Sequence, residues 1–136
     1  MPALGRRIAA EFLGTAFLLA AIVGSGIMAE RLSTDVGLQL LQNALATAGV
    51  LTAVILAFGP VSGAHLNPAV TLADRAFGGL SNRATAGYIV AQLAGGAFGV
   101  ILANLMFDLP ALSWATTVRS GSHLWMAEVV ATVGLL

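Results

Sequence analysis

A chain of 136 residues in which 58% are hydrophobic and 9% are charged has too little polar side chain to cover a water-facing surface; a soluble domain carries about 25% charged residues. Its six arginines and six acids cancel, which leaves no basic patch for nucleic acid. The absence of cysteine excludes a disulfide frame, a thiolate metal site and a cysteine nucleophile, so lipid is the expected solvent and no cofactor is implied.

The first element is an apolar run from Ile8 to Ala29, after the short basic lead Met1 to Arg7. It is longer than the apolar core of a signal peptide and reaches the ~20 residues that a membrane-spanning helix needs. One ionisable residue, Glu11, interrupts it. A second span is expected over Leu38 to Phe58, ended by Gly59-Pro60, since proline removes a helical hydrogen bond. Gln42 and Asn43, near its start, are either pore-facing or interface polar groups.

The stretch SGAHLNPAVT, Ser62 to Thr71, follows. Asparagine is a strong N-cap residue and proline is favoured at the first helical position, so Asn67-Pro68 predicts a new helix. Its apolar part, Ala69 to Phe77, is far too short to cross, and Gly78-Gly79 ends it. A short helix between two full spans, with both ends on one side, is a re-entrant half-helix. Irregular backbone at membrane depth, here Ser62 to Leu66, is tolerated only where protein buries it or where it lines a wet cavity.

A third span is expected over Ala84 to Phe107. Trp114 and Trp125 then fit an interfacial aromatic belt. His123 to Leu136 begins like a fourth span and stops after 14 residues. Arg6, Arg7, Arg75 and Arg83 fall on one side of the membrane, against Arg31 and Arg119 on the other; the excess predicts a cytoplasmic N-terminus. Gly95/Gly99 and Ala20/Gly24 are small residues at four-residue spacing, a pattern that allows close helix approach in lipid.

Ala-Glu-x-x-x-Thr-x-x-Leu-Leu occurs twice, around Glu11 and around Glu128. A membrane-embedded Glu is costly and usually has a reason. Three spans separate the copies, so the second enters from the opposite side, as in an inverted repeat. Residues 1–121 are therefore expected to form a first repeat of three spans and one half-helix, and residues 122–136 the truncated start of a second.

The chemistry of the half-helix follows from its end. A helix N-terminus carries roughly half a positive charge. At the bilayer midplane it would repel cations, hydronium included. If the Asn67 oxygen caps its own helix, the amide NH2 faces outward as a donor. The carbonyls of Gly63, Ala64 and His65 would supply acceptors along the approach. One donor and a line of acceptors suit a single file of water or small alcohols. His65 has no second ligand at metal-binding spacing. Nothing resembles a catalytic triad, a phosphate loop or a paired carboxylate site, so no enzyme is expected.

These residues resemble those of the aquaporin and aquaglyceroporin family, the major intrinsic proteins. SGAHLNPAVT is similar to the first signature of that family, AEFLGT at Ala10–Thr15 to its first span, YIVAQLAGG at Tyr88–Gly96 to its third, and AEVVAT at Ala127–Thr132 to the start of its fourth. The resemblance implies an all-α membrane protein: an aquaporin-like helical bundle with inverted repeats and a re-entrant half-helix, of which this chain is the first half. It further implies that Asn67, Pro68 and Ala69 stand at the pore centre, with the Gly63, Ala64 and His65 carbonyls lining the pore. Glu11, Gln92 and Glu128 would be buried partners of loop backbone. Thr47 would sit at the outer constriction, where a residue smaller than an aromatic or His implies a wider pore.

The function implied is a passive channel in the cell membrane for water or small neutral solutes such as glycerol or metalloid hydroxides, as a homotetramer, excluding protons and ions. Two other readings are an inverted-repeat secondary transporter and a non-conducting fragment. The second signature and its following arginine do not occur in the sequence.

Overall fold

The computed structural model describes residues 2–114 and 120–135. Arg119 and Leu136, used in the topology argument above, lie outside them. Among the described residues five helices follow in chain order: α1 Leu4–Leu32, α2 Val36–Ser62, α3 Pro68–Ala76, α4 Asn82–Met106 and α5 Ser122–Leu135. Three of them, α1, α2 and α4, are long and apolar enough to cross a membrane. The 25 residues of α4, the shortest of the three, extend about 37 Å, more than the ~30 Å hydrocarbon core. The protein is a multi-pass membrane protein.

Local signals set most helix ends. Asp35 caps α2 by accepting from the Leu38 N–H at 2.9 Å, and Ser81 caps α4 by accepting from Ala84 at 3.3 Å. The three residues Ser33 to Asp35 return the chain, so α2 runs antiparallel to α1. The second helix corrects one expectation. Gly59-Pro60 does not break it: the helix continues through Pro60 to Ser62. Proline there forfeits a single bond, to the Leu56 carbonyl, and only two helical residues follow it. The stop comes instead at Gly63, whose φ of +92° is the left-handed conformation that ends many helices.

α1 packs against both α2 and α4, and α3 packs against α4. The α1–α4 contact is parallel, because matched positions advance together. Gly87 meets Ile8, Gly95 meets Phe12, Gly99 meets Ala16, and the Phe107 ring reaches Gly24. A Cβ on Gly95 or Gly99 would overlap the carbonyl oxygen of Phe12 or of Ala16. The small-residue pair in α4 is thus the seat of α1.

With α2 antiparallel and α4 parallel to α1, Ser62 and Asn82 lie at the same end of the bundle. The intervening α3, nine residues and about 14 Å long, enters and returns without crossing. Thr71, in its first turn, accepts a hydrogen bond from Gln92, ten residues or about 15 Å into α4, which is close to half the hydrocarbon thickness.

The interior holds polar groups among small apolar ones, and large apolar side chains cover much of the exterior. Glu11, Thr71 and Tyr88 are fully buried, whereas Leu40, Leu56 and Val90 are at least 66% exposed. That inversion is the pattern expected where lipid, not water, surrounds the bundle. The short α5 makes no extensive packing contact with the other helices.

Candidate functional site

α1 and α4 each present a polar pair at i, i+4 toward the other: Arg7 and Glu11 on one, Tyr88 and Gln92 on the other. This spacing puts each pair on one helix face. Between these faces the loop Gly63–Asn67 is held. Glu11 Oε1 accepts from Ser62 Oγ at 2.5 Å and from the His65 N–H at 3.0 Å. Its Oε2 accepts from the Leu66 N–H at 2.7 Å and from Gln92 Nε2 at 2.8 Å. Hydrogen bonds to a charged group contribute about 1.5–3 kcal/mol each, which offsets the cost of a carboxyl group at this depth.

The loop needs this anchoring. Gly63, Ala64 and Leu66 all have positive φ, at 92°, 49° and 51°. Each non-glycine residue in that region costs about 1–3 kcal/mol and persists only where its surroundings over-determine it. Glu11 supplies that determination through two consecutive loop amides.

A second group of bonds holds the loop from below. The Tyr88 hydroxyl donates to the Ser62 carbonyl at 2.7 Å and receives Arg7 Nε at 2.8 Å. The Thr71 hydroxyl donates to the Asn67 carbonyl at 3.1 Å and accepts from Gln92 Nε2 at 2.9 Å, with His65 Nδ1 3.2 Å away. The His65 ring stands edge-on to Tyr88 at 5.3 Å between centroids.

Asn67 caps α3 with its own side chain: its Oδ1 accepts from the Ala69 N–H at 2.8 Å, and Pro68 follows as the first helical residue. The Asn67 amide nitrogen donates to no described residue, and the carbonyls of Gly63, Ala64 and His65 accept from none. Three cavities border this loop, one of about 400 Å³ between α1 and α4 that touches Leu66, Asn67 and Pro68, and two that share His65. Of these two, one, of about 250 Å³, lies between α1 and α2 and is bordered by Thr47, Leu18, Ile22, Leu51 and the loop from Ala64 to Asn67. The other, of about 330 Å³, opens toward the N-terminal end of α1 and is bordered by Arg7, Gly59 to Gly63, and Asp74. His65 lines both. The walls of the cavity between α1 and α2 are aliphatic except for Thr47, and the loop contributes the rest of its polarity.

A transmembrane bundle with a re-entrant helix capped by Asn-Pro is one arrangement for which sequence likeness supplies the family. The family described as Major intrinsic protein matches residues 2–136. The chain belongs to the major intrinsic protein family. Its members are membrane channels and not enzymes.

Among its relatives is aquaglyceroporin AqpS of Rhizobium meliloti (strain 1021), 49% identical over 98% of this chain and 57% of the relative. Aquaporin-8 of Notomys alexis is 38% identical over 71% of the chain and 35% of its own length. Aquaporin NIP1-4 of Oryza sativa subsp. japonica is 35% identical over 84% and 41%. The chain therefore spans about half the length, or less, of these major intrinsic proteins.

The structure brings Glu11, Gly63, Ala64, His65, Asn67, Pro68, Ala69 and Gln92 into one region, with Thr47 across the adjoining cavity. It does not bring Glu128 to that loop: Glu128 is exposed on α5 and has no hydrogen-bond partner among the described residues. Sequence reasoning passed over Ser62, Thr71, Tyr88 and Arg7. The signal for the last two was the i, i+4 spacing of Arg7 from Glu11 and of Tyr88 from Gln92. Asn43, whose role the sequence left open, is an inter-helix tie: its amide donates to the Ile22 carbonyl at 2.8 Å and to Ser25 Oγ at 2.9 Å.

Proposed function

We propose that the protein is a passive channel for water and small neutral solutes, with Asn67 as the donor at its centre. The observation that carries this reading is the self-capped Asn67. Its oxygen is spent on Ala69, so its unpaired amide nitrogen is left as a donor beside a cavity and next to three unpaired carbonyls. A solute passing that point gives up one water hydrogen bond and gains one from the protein. An ion would lose a full hydration shell for a single donor and a few carbonyls.

Proton exclusion follows from the same geometry. The N-terminus of α3 presents its positive end near the midplane, which disfavours hydronium there. Gly63, Ala64 and His65 act through backbone acceptors, and Thr47 borders the outward part of the path. Its side chain is small, and its hydroxyl is buried with no partner. A wide, weakly polar constriction favours glycerol-sized solutes and metalloid hydroxides beside water. The aquaglyceroporin name of one relative agrees with this.

Glu11 argues against coupled transport. All of its acceptor sites in the structure serve the loop and Gln92, and it lines none of the three cavities at the loop. We further infer that residues 1–121 form one of two inverted repeats, that Glu128 serves the equivalent loop of the second, that the assembly is a homotetramer in the cell membrane, and that the N-terminus is cytoplasmic.

Stopped-flow light scattering on proteoliposomes, with water, glycerol and a pH-sensitive dye, tests the reading. Rapid, non-saturating solute flux without acidification of the lumen is expected. Saturable uptake that needs an ion gradient would replace the channel by a transporter.

A further inference from the structure

A further cleft lies away from the loop. It is an open groove between α1 and α4, with a volume of about 810 Å³. One wall carries Ala9 and Leu13, the other Ala86, Val90 and Ala94, and these residues are exposed. Small side chains make the cleft, since bulky ones at Ala9, Ala86 and Ala94 would fill it.

The cleft has a polar end. Leu4 and Ile8 pack on Leu80, Ala84 and Tyr88, so the N-termini of α1 and α4 lie together. Arg6 precedes Ala9 and Leu13 at i+3 and i+7, on the same helical face. Arg83 precedes Ala86, Val90 and Ala94 at i+3, i+7 and i+11, again on one face. Each wall is thus headed by one arginine. Both arginines are exposed, and neither has a hydrogen-bond or salt-bridge partner among the described residues. Arg7, Arg31 and Arg75 each have one.

The dimensions are those of one leaflet. From Gly5 to Leu13 the helix rises by eight steps, about 12 Å along α1, against a leaflet depth of about 15 Å. We infer that this cleft is a binding site for a single anionic phospholipid, with an acyl chain between α1 and α4 and the phosphate drawn to Arg6 and Arg83. Basic groups at the mouth of an inter-helix groove are the general arrangement for capturing anionic head groups. The inference needs only the membrane-spanning bundle and stands apart from the solute that the channel passes.

The test is retention of lipid by the purified protein, counted by native mass spectrometry after equilibration with phosphatidylglycerol and phosphatidylcholine in equal amounts. The expected result is one retained phosphatidylglycerol in preference to phosphatidylcholine. Each arginine contributes roughly five-fold to that preference and the pair about 25-fold, so Arg6→Gln with Arg83→Gln removes it. A second variant, Ala86→Phe, fills the groove with both arginines intact and sheds the lipid while circular dichroism shows unchanged helix content. Equal retention of the two lipids by the wild type overturns the proposal. So does undiminished phosphatidylglycerol on the double variant or on Ala86→Phe, and so does a wild type that retains no lipid because protein fills the cleft.

Discussion

The carboxyl of Glu11 receives the amide of Leu66 at 2.7 Å across 55 positions of sequence. With the His65 amide beside it, this contact makes α1 the scaffold of a loop that belongs to α2 and α3. The energetic logic is a trade between two unfavourable states: a carboxyl group within the bilayer, and a loop with Ala64 and Leu66 in left-handed backbone. Each is tolerable only in the presence of the other.

Glu11→Gln should therefore do more than remove a charge. A glutamine oxygen can satisfy one side of the site, but its NH2 would then face a donor: the Leu66 amide and Gln92 amide on one side, or Ser62 and the His65 amide on the other. A loss of about 2–4 kcal/mol in unfolding stability is expected, with a fall in water flux. Thermal unfolding in detergent, followed by circular dichroism, measures the first. A variant as stable as the wild type would show that the loop holds its strained backbone without Glu11.

Gly95→Ala places a methyl group against the Phe12 carbonyl, while Gly96→Ala, one position on, meets only ordinary contacts at 3.7 and 3.8 Å. The first should destabilise by about 1–3 kcal/mol and the second by less than 1 kcal/mol. Parallel unfolding curves decide. Equal effects would mean that α1 and α4 do not meet through this glycine.

Asn67→Asp keeps the cap, because an aspartate oxygen also accepts the Ala69 amide, but it replaces the free donor by an acceptor. The capping contribution itself should change by less than about 0.5 kcal/mol, since both are strong caps. Water flux or proton exclusion should fail. Unaltered permeability to both in proteoliposomes removes Asn67 from the conduction path.

Pro60→Ala tests the helix through the glycine-proline pair. The chain is already helical there, so alanine restores a bond and relieves a clash, and stability should rise or hold, by up to about 3 kcal/mol. A clear loss of stability would indicate that the proline shapes the approach to Gly63.

Thr47→His narrows the cavity between α1 and α2 opposite the loop. Glycerol flux should fall by more than water flux. The ratio of the two, read in one liposome preparation, checks this, and an unchanged ratio would put the selective constriction elsewhere.

Much of this molecule can be read directly from the order of its residues. Lipid as solvent, three spans, and a short helix opened by Asn67-Pro68 all rest on local rules: the apolar length needed to cross, and the dihedral and capping preferences of asparagine and proline. The bound placed at Gly59-Pro60 was wrong for an equally local reason, because the left-handed Gly63, and not the missing proline N–H, ends the helix. The partners of Glu11 lie beyond any local rule. That its oxygens serve His65, Leu66 and Gln92, that Tyr88 reaches Ser62, and that Asn43 ties α2 to α1 depend on residues separated by up to 81 positions. Hydrophobic periodicity specifies which face of a helix avoids lipid. It does not specify the register in which two such faces meet, and here that register follows from the glycines that let α1 and α4 touch backbone to backbone.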